Sequence, residues 1–219
     1  MLIDMVNVLN LEPQVNKDRI YNKFHLVENT TSYKCADDAF QELSRIIRKN
    51  MKITSIYSIV DDTFGIQFEE IGGYTNWQKY VLCFISSKDD INSIVNDMMS
   101  AGDYLKGYLL NEIATDVMFN AANEMNKIIK ENVLKSGYKL TKRYAPGDGV
   151  LDLKHQQTIL DALKKEVNID AYLTESYMIV PEKSMLYLFG AEKNMKGYYD
   201  IEENCIECSN LDCQYREIT

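Results

Sequence analysis

Basic residues are in short supply. The 219-residue chain carries 24 Lys and Arg against 33 Asp and Glu, giving a net charge of −9 and a pI near 4.8. Nucleic acid or an anionic membrane would need a concentrated basic face, so neither is expected as the main partner. Long apolar runs are also missing. No stretch approaches the roughly 20 residues that cross a bilayer, and there is no signal-like apolar region. A cytoplasmic, soluble protein is the expectation. Cysteines are few: five in all, two isolated (Cys35, Cys83) and three near the C-terminus, which is not the pattern of a secreted disulfide framework. Proline and glycine are scarce as well, at three and ten, so a place where they cluster stands out. What is present is 46% hydrophobic sequence, enough for one sizeable core.

The cluster is Arg143-Tyr144-Ala145-Pro146-Gly147-Asp148-Gly149. Pro146 fixes its own φ and pushes Ala145 out of the helical region, while Gly147 and Gly149 tolerate positive φ and leave their N–H groups unshielded. Such a loop either brings bare backbone to a ligand or is an ordinary tight turn.

The rest of the chain reads as alternating helices and strands. Residues 1–34 are the least regular; His25, within them, reads as a packed or solvated histidine rather than a ligand. The apolar residues Phe40, Leu43, Ile46 and Ile47 recur at helical spacing between Ala36 and Asn50, with basic residues near the end. Strands are expected at 53–60, 65–71 and 79–86; Cys83 in the last reads as a small buried hydrophobe, and Trp77 and Tyr74 as cover for a sheet edge. A helix follows from Asp90, and then the longest periodic element, from Leu105 to Val133, closed by Gly137. Its methionines read as core, and its Glu112, Asp116 and Glu124 as a solvated stripe. After a short strand at 138–142 and the Arg143 loop come a helix at 154–166 and two apolar stretches, 169–180 and 184–190, expected to pair as antiparallel neighbours. Cys205, Cys208 and Cys213 form C-x2-C-x4-C, compatible with zinc or an iron–sulfur cluster, with His155, Cys35, an external thiol or a bound ligand as a fourth ligand, or alternatively with a redox-labile thiol cluster or a tail tied down by one disulfide under oxidation.

Arg143 to Gly190 resembles the activation (reactivation) domain of cobalamin-dependent methionine synthase. In that family an R-x-x-P-G-Y loop leads into a helix, then a Leu-Thr-Glu-Ser segment, then Pro and Ser. Here these read Arg143-Tyr144-Ala145-Pro146-Gly147, Leu173-Thr174-Glu175-Ser176, Pro181 and Ser184. The cysteine tail with Tyr215-Arg216 looks like small stand-alone relatives in anaerobic bacteria. The chain departs from the pattern at Asp148, where the family has Tyr, and the family's N-terminal acidic ligand has no counterpart in residues 1–34.

The resemblance implies an α+β fold: a single domain with a twisted, mainly antiparallel sheet and long helices, spanning residues 1–200, with 1–34 poorly defined and 201–219 a cysteine-containing tail. It implies binding of S-adenosylmethionine, with Arg143 on its carboxylate, Ala145, Pro146 and Gly147 offering backbone and shape to the adenosine, and Tyr198 and Tyr199 as a further aromatic pair. Glu175 would be a supporting carboxylate or a structural residue of its turn. The implied role is accessory: reductive methylation of the cobalamin of a methionine synthase or related corrinoid methyltransferase, acting in trans, with flavodoxin or another reductase as electron source. The work required is positioning, with no general acid or base. The competing expectation is a corrinoid-protein-docking or metal-binding module that kept the fold and lost the donor site, the cysteines feeding electrons directly if they hold iron and sulfur.

Overall fold

Residues 6–61, 77–88, 91–148 and 151–194 are described in a computed structural model of the chain. The first strand, β1 (Val6–Leu11), and a short helix, α1 (Lys17–Lys23), occupy the stretch that sequence reads least clearly. Helix α2 (Thr31–Asn50) begins five residues before its apolar periodicity does, because Thr30 caps it: the Thr30 side chain accepts from the Tyr33 N–H and satisfies a donor the first turn leaves without a partner. Strands β2 (Ile53–Val60) and β3 (Lys79–Ser87) follow; the expected strand at 65–71 lies outside the described residues.

Two helices come next, α3 (Ile91–Ser100) and the 32-residue α4 (Tyr104–Lys135). Gly137 at φ +80 ends α4, its N–H bonded to Leu134 and that of Tyr138 to Val133. Met118 and Met125 are buried, as their spacing implies. Strand β4 (Lys139–Leu140), helix α5 (His155–Glu166), strands β5 (Tyr172–Leu173) and β6 (Ile179–Val180), and strand β7 (Ser184–Glu192) complete the order.

The main sheet runs β1-β2-β3-β7-β4, with β7 antiparallel to both β3 and β4. This is the α+β, mainly antiparallel architecture expected from the sequence. The pairing of 169–180 with 184–190 is not seen. Instead β5 and β6 pair with each other, Tyr172 opposite Val180 and Leu173 opposite Ile179, in a separate two-stranded sheet. Thr174 closes that hairpin: its N–H donates to the Met178 carbonyl and its hydroxyl accepts from the Met178 N–H. A local side-chain bond therefore overrides the longer-range partner.

The chain divides into two compact units, one of Met1–Leu9, Ser55–Ser86 and Ala122–Thr219, the other of Asn10–Thr54 and Ser87–Ala121. In the first, the period-2 alternation of β3 and β7 buries both sheet faces. Leu82, Phe84, Leu186 and Leu188 share one face with the inward residues of α5, Ile159, Leu160 and Leu163. These α5 side chains are almost fully buried, so truncating one to Ala would cost about 2–5 kcal/mol. The opposite face carries Cys83 and Tyr187, directly across from each other. Cys83 is fully buried, and burial pushes its thiol well above the ordinary range, with Arg143 opposing. It is a packed hydrophobe, as its setting in an apolar run implies.

In the second unit, Glu112 and Asp116 overturn the solvated reading of the α4 carboxylates. Both are buried. Lys23 of α1 pairs with Glu112, and Arg19 pairs with Asp116 at 3.0 Å. The second Asp116 oxygen accepts from Asn120 at 3.1 Å. Two cations on the 3.6-residue period of α1 meet two anions on the same period of α4, which makes a wet-looking stripe a buried one. Glu124, one turn further on, is exposed as expected.

Candidate functional site

The backbone of the Arg143 stretch is built as an edge strand. Beyond β4, the chain keeps pairing with β7: the Thr141 N–H donates to the Gly190 carbonyl, and Tyr144 exchanges both backbone bonds with Leu188, each at 2.9 Å. Leu140 lies opposite Ala191 and Tyr144 opposite Leu188, so the near strand advances four residues where the far strand advances three. The extra residue is a bulge at Lys142-Arg143, and it resets which face each side chain occupies.

Tyr144 consequently lies on the α5 face, where its ring stacks on Trp77 at 5.3 Å. The Trp77 indole in turn lies over Gly190, where an added Cβ would fall 2.1 Å from Cδ2. Glycine is required here by close approach, not by φ. Trp77 thus covers the sheet's face next to the loop, and the Tyr74 expected beside it lies outside the described residues.

Arg143 takes the opposite face. Its guanidinium carbon sits 5.4 Å from the centroid of the Tyr187 ring, within cation–π range. The Tyr187 hydroxyl donates to Asn126 Oδ1 of α4 at 2.8 Å, with both residues buried. The half-buried arginine therefore rests on a ring fixed at both ends.

The turn that follows is dictated by its two central residues. Pro146 occupies the position where φ near −65° is wanted and Gly147, at φ +97, the position that wants a positive value, while the Asp148 N–H closes the turn on the Ala145 carbonyl at 3.1 Å; this is the type II pattern. The Gly147 N–H donates to Leu151 at 2.7 Å, tying the turn to the segment that enters α5. Because Tyr144 directs its backbone groups at β7, the Ala145 N–H points away from the sheet. Pro146 is buried and Gly147 exposed; with the Gly147 N–H committed to Leu151, the turn offers the Ala145 N–H as a donor and Gly147 as bare surface.

Asp148 ends the turn. Partial desolvation raises its carboxyl above the ordinary value, and Arg143 pulls it back down. The two groups feel each other, yet Asp148 forms no direct ion pair with a described residue.

Arg143, Ala145, Pro146 and Gly147 are thus brought together on one bulged edge. Tyr198, Tyr199, Cys205, Cys208 and Cys213 lie outside the described residues, and among the described residues no group of three metal-ligating side chains occurs. Thr174 and Ser176 hydroxyls lie 3.1 Å apart in the β5–β6 turn, with Glu175 exposed between them, and Ser184 donates to Ser86 at 2.9 Å. These side chains act in closing a hairpin and joining two strands. Two supports of the site, Tyr187 and Gly190, escape sequence reasoning. An isolated Gly in an apolar strand is a signal of close backbone approach, and it would have pointed to the chain's single tryptophan.

Among the described residues, no helix is long and apolar enough to cross a membrane. No protein-family model matches the chain, and no curated protein matches it. Among solved structures, the chain is similar to the crystal structure of the MetH reactivation domain bound to AdoHcy, with a TM-score of 0.61 at 12% identity, covering 89% of this chain and 80% of that one. At that identity the likeness is one of fold.

Proposed function

We propose that this protein binds S-adenosylmethionine at the Arg143–Gly147 edge and presents it to a corrinoid carried by a partner polypeptide, supporting reductive methylation of the cobalamin of a methionine synthase or related corrinoid methyltransferase. The observation that supports this most is the shared fold with a reactivation domain solved with AdoHcy, in a chain whose Arg-x-x-Pro-Gly loop is held as a bulged edge strand.

The residues present fit the amino-acid end of such a ligand. Arg143, steadied on Tyr187, offers a planar fork to a carboxylate. The Ala145 N–H, directed away from β7, is a donor on the outer side of the loop, and the exposed Gly147, without a Cβ, lets a nucleoside approach backbone closely. S-adenosylmethionine, when bound, supplies an activated methyl group. The protein's own contribution is to hold and orient it and to exclude water. Cobalamin belongs to the partner, and flavodoxin or another reductase supplies the electron. Tyr198 and Tyr199 would complete the ligand's surroundings, and Cys205, Cys208 and Cys213 would hold zinc or an iron–sulfur cluster, which metal analysis and a visible spectrum of anaerobically purified protein would test.

Calorimetric titration with S-adenosylmethionine, beside Arg143→Ala, is the deciding experiment. Saturable binding weakened at least tenfold by the substitution is the expected outcome, followed by activity in a reactivation assay with a corrinoid methyltransferase. Absence of binding by the native protein would overturn the donor-site reading in favour of a docking or metal-carrying module.

A further inference from the structure

A zwitterionic amino acid needs one partner of each sign, and the loop carries one at each end. Arg143 and Ala145 are two residues apart in an extended edge, hence on the same side of the strand. The Pro146-Gly147 turn folds the chain back so that the Asp148 N–H reaches the Ala145 carbonyl, returning a carboxylate to the neighbourhood of the guanidinium. Arg143 influences Asp148 electrostatically, while Asp148 lacks a direct ion-pair partner among the described residues.

We propose that Arg143 and Asp148 form a two-ended clamp for the α-amino-acid moiety of S-adenosylmethionine, with Arg143 on the carboxylate and Asp148 on the ammonium. This deepens the function proposed above and rests on it. The aspartate then sets specificity: ligands with the adenosine but without a free α-amino group lose its contribution, and ligands that keep the amino group but lack the sulfonium charge retain it. A tyrosine at this position would offer ring area and no charge, so the acidic side chain makes the site more selective for the zwitterion. Asp148 is exposed as a residue, so its replacement spares the fold.

The test is calorimetry of the native protein and Asp148→Asn with three ligands: S-adenosylmethionine, S-adenosylhomocysteine and an S-adenosylmethionine analogue lacking the α-amino group. A charge-assisted contact at a partly exposed site is worth about tenfold in affinity. The clamp requires Asp148→Asn to bind the first two about tenfold more weakly and the third unchanged, with a melting temperature no lower than that of the native protein. Equal affinities in the two proteins would overturn it, as would a loss confined to S-adenosylmethionine, which would assign Asp148 to the sulfonium, or a loss shared by the desamino analogue. Failure of the native protein to bind S-adenosylmethionine would bring down the underlying function as well, an outcome distinct from a native protein that binds and a variant that binds equally.

Discussion

The Trp77 indole occupies the space that a side chain at position 190 would need, its Cδ2 lying 2.1 Å from where a Cβ would stand. The same indole stacks on Tyr144, the residue whose two backbone bonds to Leu188 hold the loop against β7. Gly190 is therefore linked to the candidate site through one aromatic pair.

Gly190→Ala is expected to expel the indole from its seat. Overpacking of this kind costs about 1–3 kcal/mol, and Trp77, as the chain's only tryptophan, reports it directly through red-shifted emission. The denaturation midpoint should fall, and S-adenosylmethionine affinity with it, because Tyr144 loses its stacking partner. Native emission combined with a native midpoint would show that the close approach does not exist in solution.

The paired charges of α1 and α4 behave differently from surface salt bridges. Asp116 is buried and engaged on both oxygens, by Arg19 and by Asn120. Replacing it alone with Leu strands the part-buried guanidinium and should cost about 3 kcal/mol. The double replacement Arg19→Met with Asp116→Leu should recover most of that loss, since neither charge then remains uncompensated. Chemical denaturation of the four proteins in the cycle measures the coupling. A single-variant loss below about 0.5 kcal/mol, the scale of exposed pairs, would mean that water reaches the pair.

What sequence reveals of this protein follows the range of the interactions. Strands β3 and β7 are legible because both of their faces are buried, leaving unbroken apolar runs, and α4 because its core residues recur every three to four positions. Glu112 looks solvated since its partner, Lys23, lies 89 residues away, beyond any local pattern. The β5–β6 hairpin is misread because apolar content suggests that two stretches pair but does not say which two; the bonds that close it, through the backbone and hydroxyl of Thr174, are local to its turn. At the site, the Pro146-Gly147 turn is written in its residue types. The bulge that sends Arg143 to one face and Tyr144 to the other is not, because it arises from register against a strand more than forty positions downstream.

Asp148 also carries a pH signature. Its carboxyl is raised in the folded protein, chiefly by desolvation and against the pull of Arg143. A carboxyl with a raised folded pKa binds its proton more readily folded than unfolded, so its ionised form weighs against the fold at neutral pH and that cost is relieved as pH falls through the raised value. Asp148→Asn should thus be at least as stable as the native protein at pH 7, with the difference shrinking as pH falls through the raised value and gone below the ordinary carboxyl value of 3.8. An ammonium bound beside the carboxylate offsets the desolvation, so ligand binding should release a proton at pH values near the raised pKa, and affinity should decline as pH drops through that window. Calorimetry in buffers of differing ionisation enthalpy measures the proton count. The native protein should show release that Asp148→Asn lacks, and equal proton counts in the two proteins would place the ammonium elsewhere.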